Sequence, residues 1–357
     1  MKSGENSIYI IDSTLRDGEQ APGVSFSHRD KLRLASMLAE AGVDELEVGI
    51  PAMGEGEKNC IRDIVNLHLP CRITSWCRAR WEDVVYASKL KTGGVHISFP
   101  VSTSLLEAIG KNETWVLNKL EELVPAARRL FPRVSVGAID STRANTSFLK
   151  KFADLASSCG AYRMRVADTV GIATPVKVMR MFRMLSAASK TMILEFHGHN
   201  DLGMATANSL CAVIAGAGAL SVTVNGLGER AGNAPLEEIV VAMPMTTGKS
   251  CNIDPHNLRP LCSFVSRISN RVIPVNKPVT GDLIFTHESG IHCHALIKDD
   301  LTYQPYPPTR IGRQTEFVIG KHSGSTIICH LLQQKEIPVD RNNPDCSVSK
   351  ESGQMRG

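Results

Sequence analysis

The sequence predicts an α/β fold of the TIM-barrel type, because eight short β-rich runs alternate with helix-length segments. A second observation agrees, since polar residues stand at the ends of the predicted strands, where such a barrel gathers its functional groups. The 357 residues, 43% of them apolar, leave room for one barrel of roughly 250 residues and an appendage. A doubly wound open sheet is the alternative, but the count of eight favours closure.

The eight predicted strands follow one another at regular intervals along the chain. They are IYIID near residue 8, ELEVGI from Glu45, CRITSWC from Cys71, GVHISFP from Gly94, RVSVGAID from Arg133, YRMRVAD from Tyr162, MILEFHGH from Met192 and SVTVNG from Ser221. The segment HRDKLRLASMLAEAG is typical of the helices between them, with apolar residues at helical spacing. Strand–helix repetition of this kind predicts a parallel sheet.

The pattern breaks after about Asn270, which suggests where the barrel ends. We expect a TIM-barrel catalytic domain over 1–270 and a linker with a C-terminal lid or dimerisation arm over 271–337. The linker is rich in Pro and Gly (VIPVNKPVTGDLIF), and a short helix is expected near residues 323–334. The stretch 338–357 is poor in apolar residues and is predicted to be disordered.

Composition excludes several classes of function. The 40 basic and 36 acidic residues are spread along the chain, so nucleic acid is not an expected partner. The ten cysteines show no CxxC pair, which indicates a reducing compartment rather than a disulfide framework. The start has no secretory pattern and no apolar run reaches membrane-spanning length, so we expect a cytoplasmic enzyme with no membrane partner.

A candidate metal site lies at two of the strand ends. EFHGHND places His197 and His199 two residues apart, so both side chains project from one face at the barrel mouth. Asp17, in STLRDGEQ after the first strand, supplies the carboxylate that a two-histidine site needs, and Asn233 in NGLGERAGN offers a further oxygen. The donors suit Zn, Mn, Mg or Fe(II). The alternatives are a loop-capping imidazole and a plain glycine-rich loop.

Such a site has open positions for a substrate. A cation held there can chelate a 2-oxo acid through its keto and carboxylate oxygens and act as a Lewis acid. Arg16, beside Asp17, is then placed to stabilise the alkoxide that forms from the keto oxygen. Alternatively, Arg16 only pairs with Asp17 or with Glu47, as arginines near acids often do.

Six segments together resemble one known family. STLRDGEQAPGVSF, ELEVGIPAMGEGE, ADTVGIATP, HGHNDLGMATAN, GLGERAGN and FTHESGIH look like the DRE-TIM metallolyases, the acyl-CoA and 2-oxo acid synthases. The likeness spans nearly the whole barrel and arm. ELEVGIPAMGEGE and SWCRA are most similar to the homocitrate synthases of nitrogen fixation.

The resemblance implies roles for particular residues. Asp17, His197, His199 and Asn233 would hold a divalent metal, and Arg16 and Thr169 would meet the keto oxygen and first carboxylate of the acid. Thr169 also suits a helix cap before Pro175, and we expect it to do both.

Other substrate contacts are expected from neighbouring strands. Glu47 is a further candidate for substrate binding. Arg78 matches the position that faces the distal carboxylate of 2-oxoglutarate in related enzymes, unless it forms only a surface ion pair.

The arm carries a second group of expected functional residues. His292 in FTHESGIH and Tyr303 in DLTYQPY match the family's proton-transfer pair, which reaches into the barrel of a neighbouring subunit and implies a homodimer with a swapped arm. Imidazole and phenol suit removal of a proton from the acetyl-CoA methyl group. His287 and Glu288 are expected to be structural partners.

The implied reaction condenses acetyl-CoA with 2-oxoglutarate and water to give homocitrate and CoA. The alternatives are synthases of citramalate, 2-isopropylmalate or citrate. A hydroxymethylglutaryl-CoA lyase is disfavoured because GLGERAGN lacks the reactive cysteine expected there. One departure matters, since Ile139 stands where family members carry an acid. This allows a catalytically impaired homologue, or a role for Asp140 in its place.

Overall fold

The computed structural model describes residues 7–188 and 192–334. It divides into two compact units, Met1–Ile273 and Pro274–Gly357, and each is described by itself. The stretch predicted to be disordered, 338–357, lies outside the described residues.

The first unit is a closed barrel of eight parallel strands, in which each strand pairs with its neighbours in sequence and β1 pairs with β8. The predicted TIM barrel is therefore confirmed. The strands are β1 (Tyr9–Asp12), β2 (Glu45–Glu47), β3 (Arg72–Arg78), β4 (Gly94–Pro100), β5 (Val134–Ile139), β6 (Arg163–Asp168), β7 (Ile193–Gly198) and β8 (Ala219–Val222).

Helices connect the strands and cover the outside of the barrel. They are α1 (His28–Ala41), α2 (Glu55–Asn66), α3 (Trp81–Ser88), α4 (Thr103–Ala108), α5 (Glu113–Ala127), α6 (Thr146–Ser158), α7 (Pro175–Ala188), α8 (Ala205–Ile214), α9 (Leu236–Thr247) and α10 (Leu258–Ser269). The ends of α1 follow from local chemistry. The Ser27 side chain accepts a hydrogen bond from the Asp30 N–H, and Gly42 adopts the left-handed conformation, with φ of 99°, that ends a helix.

The apolar core lies between the strands and the helices. In β4, for example, Val95, Ile97 and Phe99 are fully buried, and the Phe99 ring meets Phe152 of α6 edge to face at 5.8 Å between centroids. Because side chains alternate across a strand, the other face of each strand points into the barrel lumen.

The lumen holds a continuous series of buried ion pairs. Arg163 lies between Glu45 and Glu195, with N–O distances of 2.6 and 2.7 Å. Arg165 in turn binds Glu195 and Glu47. Alternating charges offset the cost of removing each from water, and the series leads from the bottom of the barrel towards the carboxyl ends of the strands.

The second unit contains two short strands and two helices among its described residues. The parallel strands are β9 (Thr286–His287) and β10 (Glu316–Phe317), and the helices are α11 (Gly290–Leu296) and α12 (Ser325–Gln334). Across both units, no described helix is long and apolar enough to cross a membrane. The nine cysteines among the described residues are all free.

Candidate active site at the barrel mouth

Three potential metal ligands meet at the carboxyl ends of the strands. Asp17 follows β1, His197 is the penultimate residue of β7 and His199 comes just after that strand. One donor atom from each lies within 4.8 Å of the others, and all three residues are buried. This convergence of strand ends from opposite parts of the sequence is what a closed barrel produces.

The two oxygens of Asp17 face different partners. Oδ1 accepts a hydrogen bond from Nη1 of Arg16 at 3.0 Å, whereas Oδ2 lies 3.2 Å from Nε2 of His197 and 4.0 Å from Nε2 of His199. Burial alone would raise the pKa of Asp17, but Arg16 and the two histidines hold the pKa well below its ordinary value. Asp17 is therefore ionised at neutral pH.

The histidines are held in orientations that suit neutral ligands. Nδ1 of His197 lies 3.0 Å from Oγ of Ser221. When Nδ1 carries the ring proton and donates it to Ser221, Nε2 is left as an acceptor facing Asp17 Oδ2, and both atoms would be available as ligands of a cation. Burial and the neighbouring His197 lower the pKa of His199 to about 4, which keeps that imidazole uncharged, as ligation requires.

Asn233 lies beside this group because the backbone segments of His199 and Asn233 form an antiparallel bridge. The Asn233 Nδ2 donates to the carbonyl oxygen of Leu227 at 3.0 Å, which fixes the orientation of the amide. Its Oδ1 is then buried without a hydrogen-bond partner in the described part of the chain.

The residues present fit a divalent cation. Asp17 Oδ2, His199 Nδ1 and Asn233 Oδ1 are buried and lack hydrogen-bond partners among residues 7–188 and 192–334. Unpaired buried polar atoms are costly, so three of them on residues that meet or adjoin at the barrel mouth indicate a ligand that the chain itself does not provide. Carboxylate, imidazole and amide donors suit several divalent metals.

Arg16 connects the candidate metal site to the lumen charges. Its Nε donates to Oε1 of Glu47 at 2.6 Å, and its guanidinium lies 5.6 Å from the centroid of the Trp76 ring. Glu47 is fully buried and also binds Ser13 and Arg165, so its contacts are with the protein. The predicted pairing of Arg16 with both acids is thus present, and it leaves Arg16 held at the edge of a cavity of about 510 Å³.

Thr169 follows β6 at the same face of the barrel. Its hydroxyl accepts a hydrogen bond from the Asp140 N–H at 2.8 Å. The expectation that Thr169 also caps a helix was wrong, because α7 begins at Pro175 and Thr174 accepts the hydrogen bond from the Lys177 N–H. The capping threonine is simply the one that directly precedes the proline.

Arg78 ends β3 and is engaged with a neighbour. Its Nε and Nη2 donate to the Asp83 carboxylate at 2.8 and 2.9 Å, and its side chain is 49% exposed. The surface ion pair considered from the sequence is therefore present. A substrate contact by Arg78 stays a prediction.

Ile139 and Asp140 stand together at the end of β5. Ile139 is partly exposed and pairs with Pro100 of β4, which gives this sector of the mouth an apolar surface. The Asp140 carboxylate accepts hydrogen bonds from Ser102 at 2.5 Å and from Arg143 at 2.9 Å, and the residue is fully buried. Asp140 thus has structural partners, and the proton-transfer role considered for it stays a prediction.

The residues predicted in the arm lie in the second unit. The rings of His292 and Tyr303 stack at 4.1 Å between centroids, with 26° between their planes. Nε2 of His287 lies 3.2 Å from the Gln304 amide, and Glu288 accepts a hydrogen bond from the His322 N–H at 3.2 Å. His287 and Glu288 thus have the structural partners expected of them.

Sequence reasoning missed the residues in the barrel lumen that hold the site residues in place. Arg165 and Glu195 hold Glu47 and, through it, Arg16, and Ser221 orients His197. The available signal was charge at alternate positions in buried strands, as in RMRVAD and ILEFHG. Two arginines on one face of a strand, in a fold whose strands are buried on both faces, indicate acids across the lumen.

Comparison with known proteins gives consistent results. Residues 7–265 match the sequence family described as HMGL-like, and residues 279–350 match the one described as homocitrate synthase post-HMGL domain-like. The chain is 42% identical to 2-isopropylmalate synthase 2 of Caldanaerobacter subterraneus subsp. tengcongensis, over 92% of this chain and 85% of that one. It is 40% identical to homocitrate synthase of Frankia alni, over 92% and 93%.

One further sequence relative and one solved structure are also similar to the chain. The chain is 38% identical to 2-phosphonomethylmalate synthase of Streptomyces rubellomurinus, over 96% of this chain and 92% of that one. Its fold resembles that of the HMG-CoA lyase from Brucella melitensis, with a TM-score of 0.65 at 18% identity, over 74% and 99% of the chains. The sequence relatives thus carry names with different products.

Proposed function

The chain belongs to the HMGL-like family and is an enzyme of the homocitrate synthase-like type, and we propose that it condenses acetyl-CoA with 2-oxoglutarate to give homocitrate and CoA. The observation that carries the proposal is the cluster of Asp17, His197 and His199 at the barrel mouth, where buried donor atoms lack partners among the described residues and Arg16 bonds to Asp17. The match of the second unit to the homocitrate synthase post-HMGL domain supports the choice of acid. The relation to the nitrogen-fixation enzymes stays a prediction.

The proposed roles follow from the chemistry of each group. Asp17, His197, His199 and Asn233 would hold a divalent cation, which supplies Lewis-acid polarisation of a keto group. The Arg16 guanidinium donates to the former keto oxygen as negative charge develops there, and its bonds to Glu47 and Asp17 keep it oriented before the reaction.

The proton transfers are assigned to the arm. Condensation needs a base that removes a proton from the methyl group of acetyl-CoA, so that this carbon attacks the keto carbon of the acid. We assign this step to His292 with Tyr303, contributed by the arm of a neighbouring subunit, because imidazole and phenol are side-chain groups that serve as general bases and acids. Water then cleaves the thioester and releases CoA.

Related condensations are the second candidate. The relatives are named for isopropylmalate, citramalate and phosphonomethylmalate products as well as homocitrate. Arg78 is already paired with Asp83, and Ile139 makes part of the mouth apolar, so a smaller or apolar 2-oxo acid remains the alternative to 2-oxoglutarate.

The test is release of free CoA, followed with a thiol reagent. Acetyl-CoA is supplied with 2-oxoglutarate, pyruvate, 2-oxoisovalerate, oxaloacetate or phosphonopyruvate, using metal-stripped and metal-loaded protein side by side. Metal-dependent release with 2-oxoglutarate as the best acid is expected. A preference for another acid would change the product, and folded, metal-loaded protein that is silent with all five would contradict the condensation and favour an impaired homologue with Ile139 as the cause.

A further inference from the structure

Thr169 is held from two sides by residues whose backbones are in an uncommon conformation. Asp140 and Arg230 are non-glycine residues with positive φ, 62° and 54° respectively. Both form a hydrogen bond with Thr169. Only a few per cent of non-glycine residues adopt this region; Asp does so more readily than Arg, and an arginine there persists only where the surrounding structure enforces it. Both residues hold the same threonine, which indicates that the fold fixes the position of Thr169.

The first contact fixes the Thr169 hydroxyl. The Asp140 N–H donates to Oγ1 of Thr169 at 2.8 Å. The left-handed backbone of Asp140 aims this N–H, and the bonds from Ser102 and Arg143 to its carboxylate hold the backbone in place. Because Oγ1 is used as an acceptor, the hydroxyl hydrogen of Thr169 is directed elsewhere. No protein acceptor for that hydrogen lies among the described residues.

The second contact fixes the Thr169 backbone. Nη2 of Arg230 donates to the Thr169 carbonyl oxygen at 2.7 Å. The same guanidinium binds both oxygens of Asp201, at 2.8 Å from Nε and 3.1 Å from Nη2. One arginine therefore ties together the loops that follow β6, β7 and β8.

The loop around Thr169 leaves little freedom for another arrangement. Asp168 accepts hydrogen bonds from Thr142, from the Ile172 N–H and from the Ala173 N–H. Gly171 has a φ of 65°, and a Cβ there would come within 2.3 Å of Asp201 Oδ2. The Asp168 carbonyl also accepts the His199 N–H at 3.3 Å, so Thr169 is anchored next to a candidate metal ligand.

We infer that Asp140 and Arg230 are positioning residues, which fix Thr169 so that its hydroxyl donates to the carboxylate of the bound 2-oxo acid. The inference rests on the proposed function for the identity of the ligand. In this inference Arg230 acts on the acid through its bond to Thr169, and a substitution that keeps its positive charge isolates that bond.

A double-mutant cycle on acid binding tests this. Binding of the same five 2-oxo acids to metal-loaded protein is measured by calorimetry for the parent, Thr169→Val, Arg230→Lys and the double variant. The introduced lysine keeps the positive charge but cannot bind Asp201 and Thr169 together. A hydrogen bond to a charged group corresponds to roughly a tenfold change in Kd, so each single variant is expected to weaken binding about tenfold, and the double variant no further. The Michaelis constant for acetyl-CoA should stay unchanged.

Two further variants guard against a purely structural effect. Asp201→Asn weakens the same contact from the other side and is expected to repeat the loss seen with Arg230→Lys. Arg62→Lys changes an exposed arginine that, within the described part of the chain, hydrogen-bonds to Asn59 of its own helix, and the Kd for the acid should stay the same.

The outcomes separate this inference from the proposed function. Losses that multiply in the double variant, or full binding by Arg230→Lys, would overturn the positioning role while leaving the condensation intact. A parent that binds a 2-oxo acid but releases no CoA contradicts the condensation, and the cycle still decides the role of Arg230. A parent that binds none of the five acids overturns both.

Discussion

Asp17 shows how one buried carboxylate serves two partners. Oδ1 accepts from Arg16, whose other contacts run to Glu47, and Oδ2 faces His197 and His199. The carboxylate thereby links the candidate metal position to the arginine proposed to stabilise the keto oxygen. A group that orients both partners needs no rearrangement during the reaction, which is the benefit of a preorganised site.

Asp12, at the end of β1, is a buried carboxyl group outside the proposed chemistry. It is 1% exposed and accepts hydrogen bonds from the N–H and the hydroxyl of Thr14 at 2.8 and 3.0 Å. Burial raises its pKa from 3.8 to about 7, because these two bonds only partly offset the loss of water. Between those values the folded protein binds more protons than the unfolded chain, so stability falls as the pH rises through that window.

We therefore predict that Asp12→Asn gains stability relative to the parent as pH rises. The variant has no carboxyl group to ionise, and one unit of pKa shift corresponds to about 1.4 kcal/mol. Urea unfolding at pH 5 and pH 8 should show a larger advantage for the variant at pH 8. Asp154→Asn, which changes an exposed carboxylate, is the control. The same difference from the parent at both pH values would refute the argument.

At the level of elements, the positions of the barrel strands were predictable from the sequence, whereas the side-chain bonds between different strands were not. Each strand starts within two residues of a predicted run, because β-rich runs flanked by helices are a local signal. The bond between Arg165 and Glu47 joins residues 118 positions apart, and no local pattern names the partner. Likewise, two threonines precede α7, and only the geometry shows that Thr174 is its cap.

Among the candidate functional residues, the metal site was the easiest to predict from the sequence. His197 and His199 share one strand end, so their proximity followed from strand geometry alone. Asp17 joined them through the rule that strand ends meet at one mouth and through the need of a two-histidine site for a carboxylate. The supporting residues Ser221 and Arg230 lacked such a signal, because a serine in a strand and an arginine in a loop are common in any sequence.

Lys31 of α1 joins two loops at the barrel mouth. Its Nζ lies 2.5 Å from Glu19 and 2.9 Å from Glu57, and the side chain is 7% exposed. Glu19 also accepts the Phe26 N–H and Glu57 accepts the Ile50 N–H, so the lysine connects the loops that follow β1 and β2. Burial opposes its charge, but the two acids raise the pKa of Lys31 above its ordinary value.

We predict that Lys31→Met lowers the free energy of unfolding by about 2 kcal/mol, a value reduced for partial exposure from that of fully buried pairs. The loss arises because two facing carboxylates remain without a cation. Urea unfolding measures it, and adding Glu19→Gln and Glu57→Gln should recover most of the stability. Lys119→Met, in a more exposed pair with Glu122, is the control and should change it by less than about 0.5 kcal/mol. An equal effect in both variants would show that Lys31 has no special role.

At the scale of the whole molecule, the proposed reaction draws on both units. Arg16 and the candidate metal ligands belong to the first unit, and His292 and Tyr303 belong to the second. The family resemblance implies that an arm serves the barrel of its neighbour, which requires at least a dimer with isologous contacts. Sedimentation at working concentration should therefore show no monomer as the main species.

Mixing two inactive variants tests whether the site is shared between subunits. Arg16→Gln removes a barrel residue and His292→Ala removes an arm residue, so each variant alone should be inactive. In a mixed dimer with exchanged arms, one site carries both changes and the other carries neither. Random mixing then restores about a quarter of parent activity, since half of the dimers are mixed and each has one intact site of two.

The control mixes Arg16→Gln with Asp17→Asn, which are both changes in the barrel, and this mixture should restore no activity. If mixed dimers of the first pair form and stay inactive, each arm serves its own barrel, and the swapped arrangement is wrong.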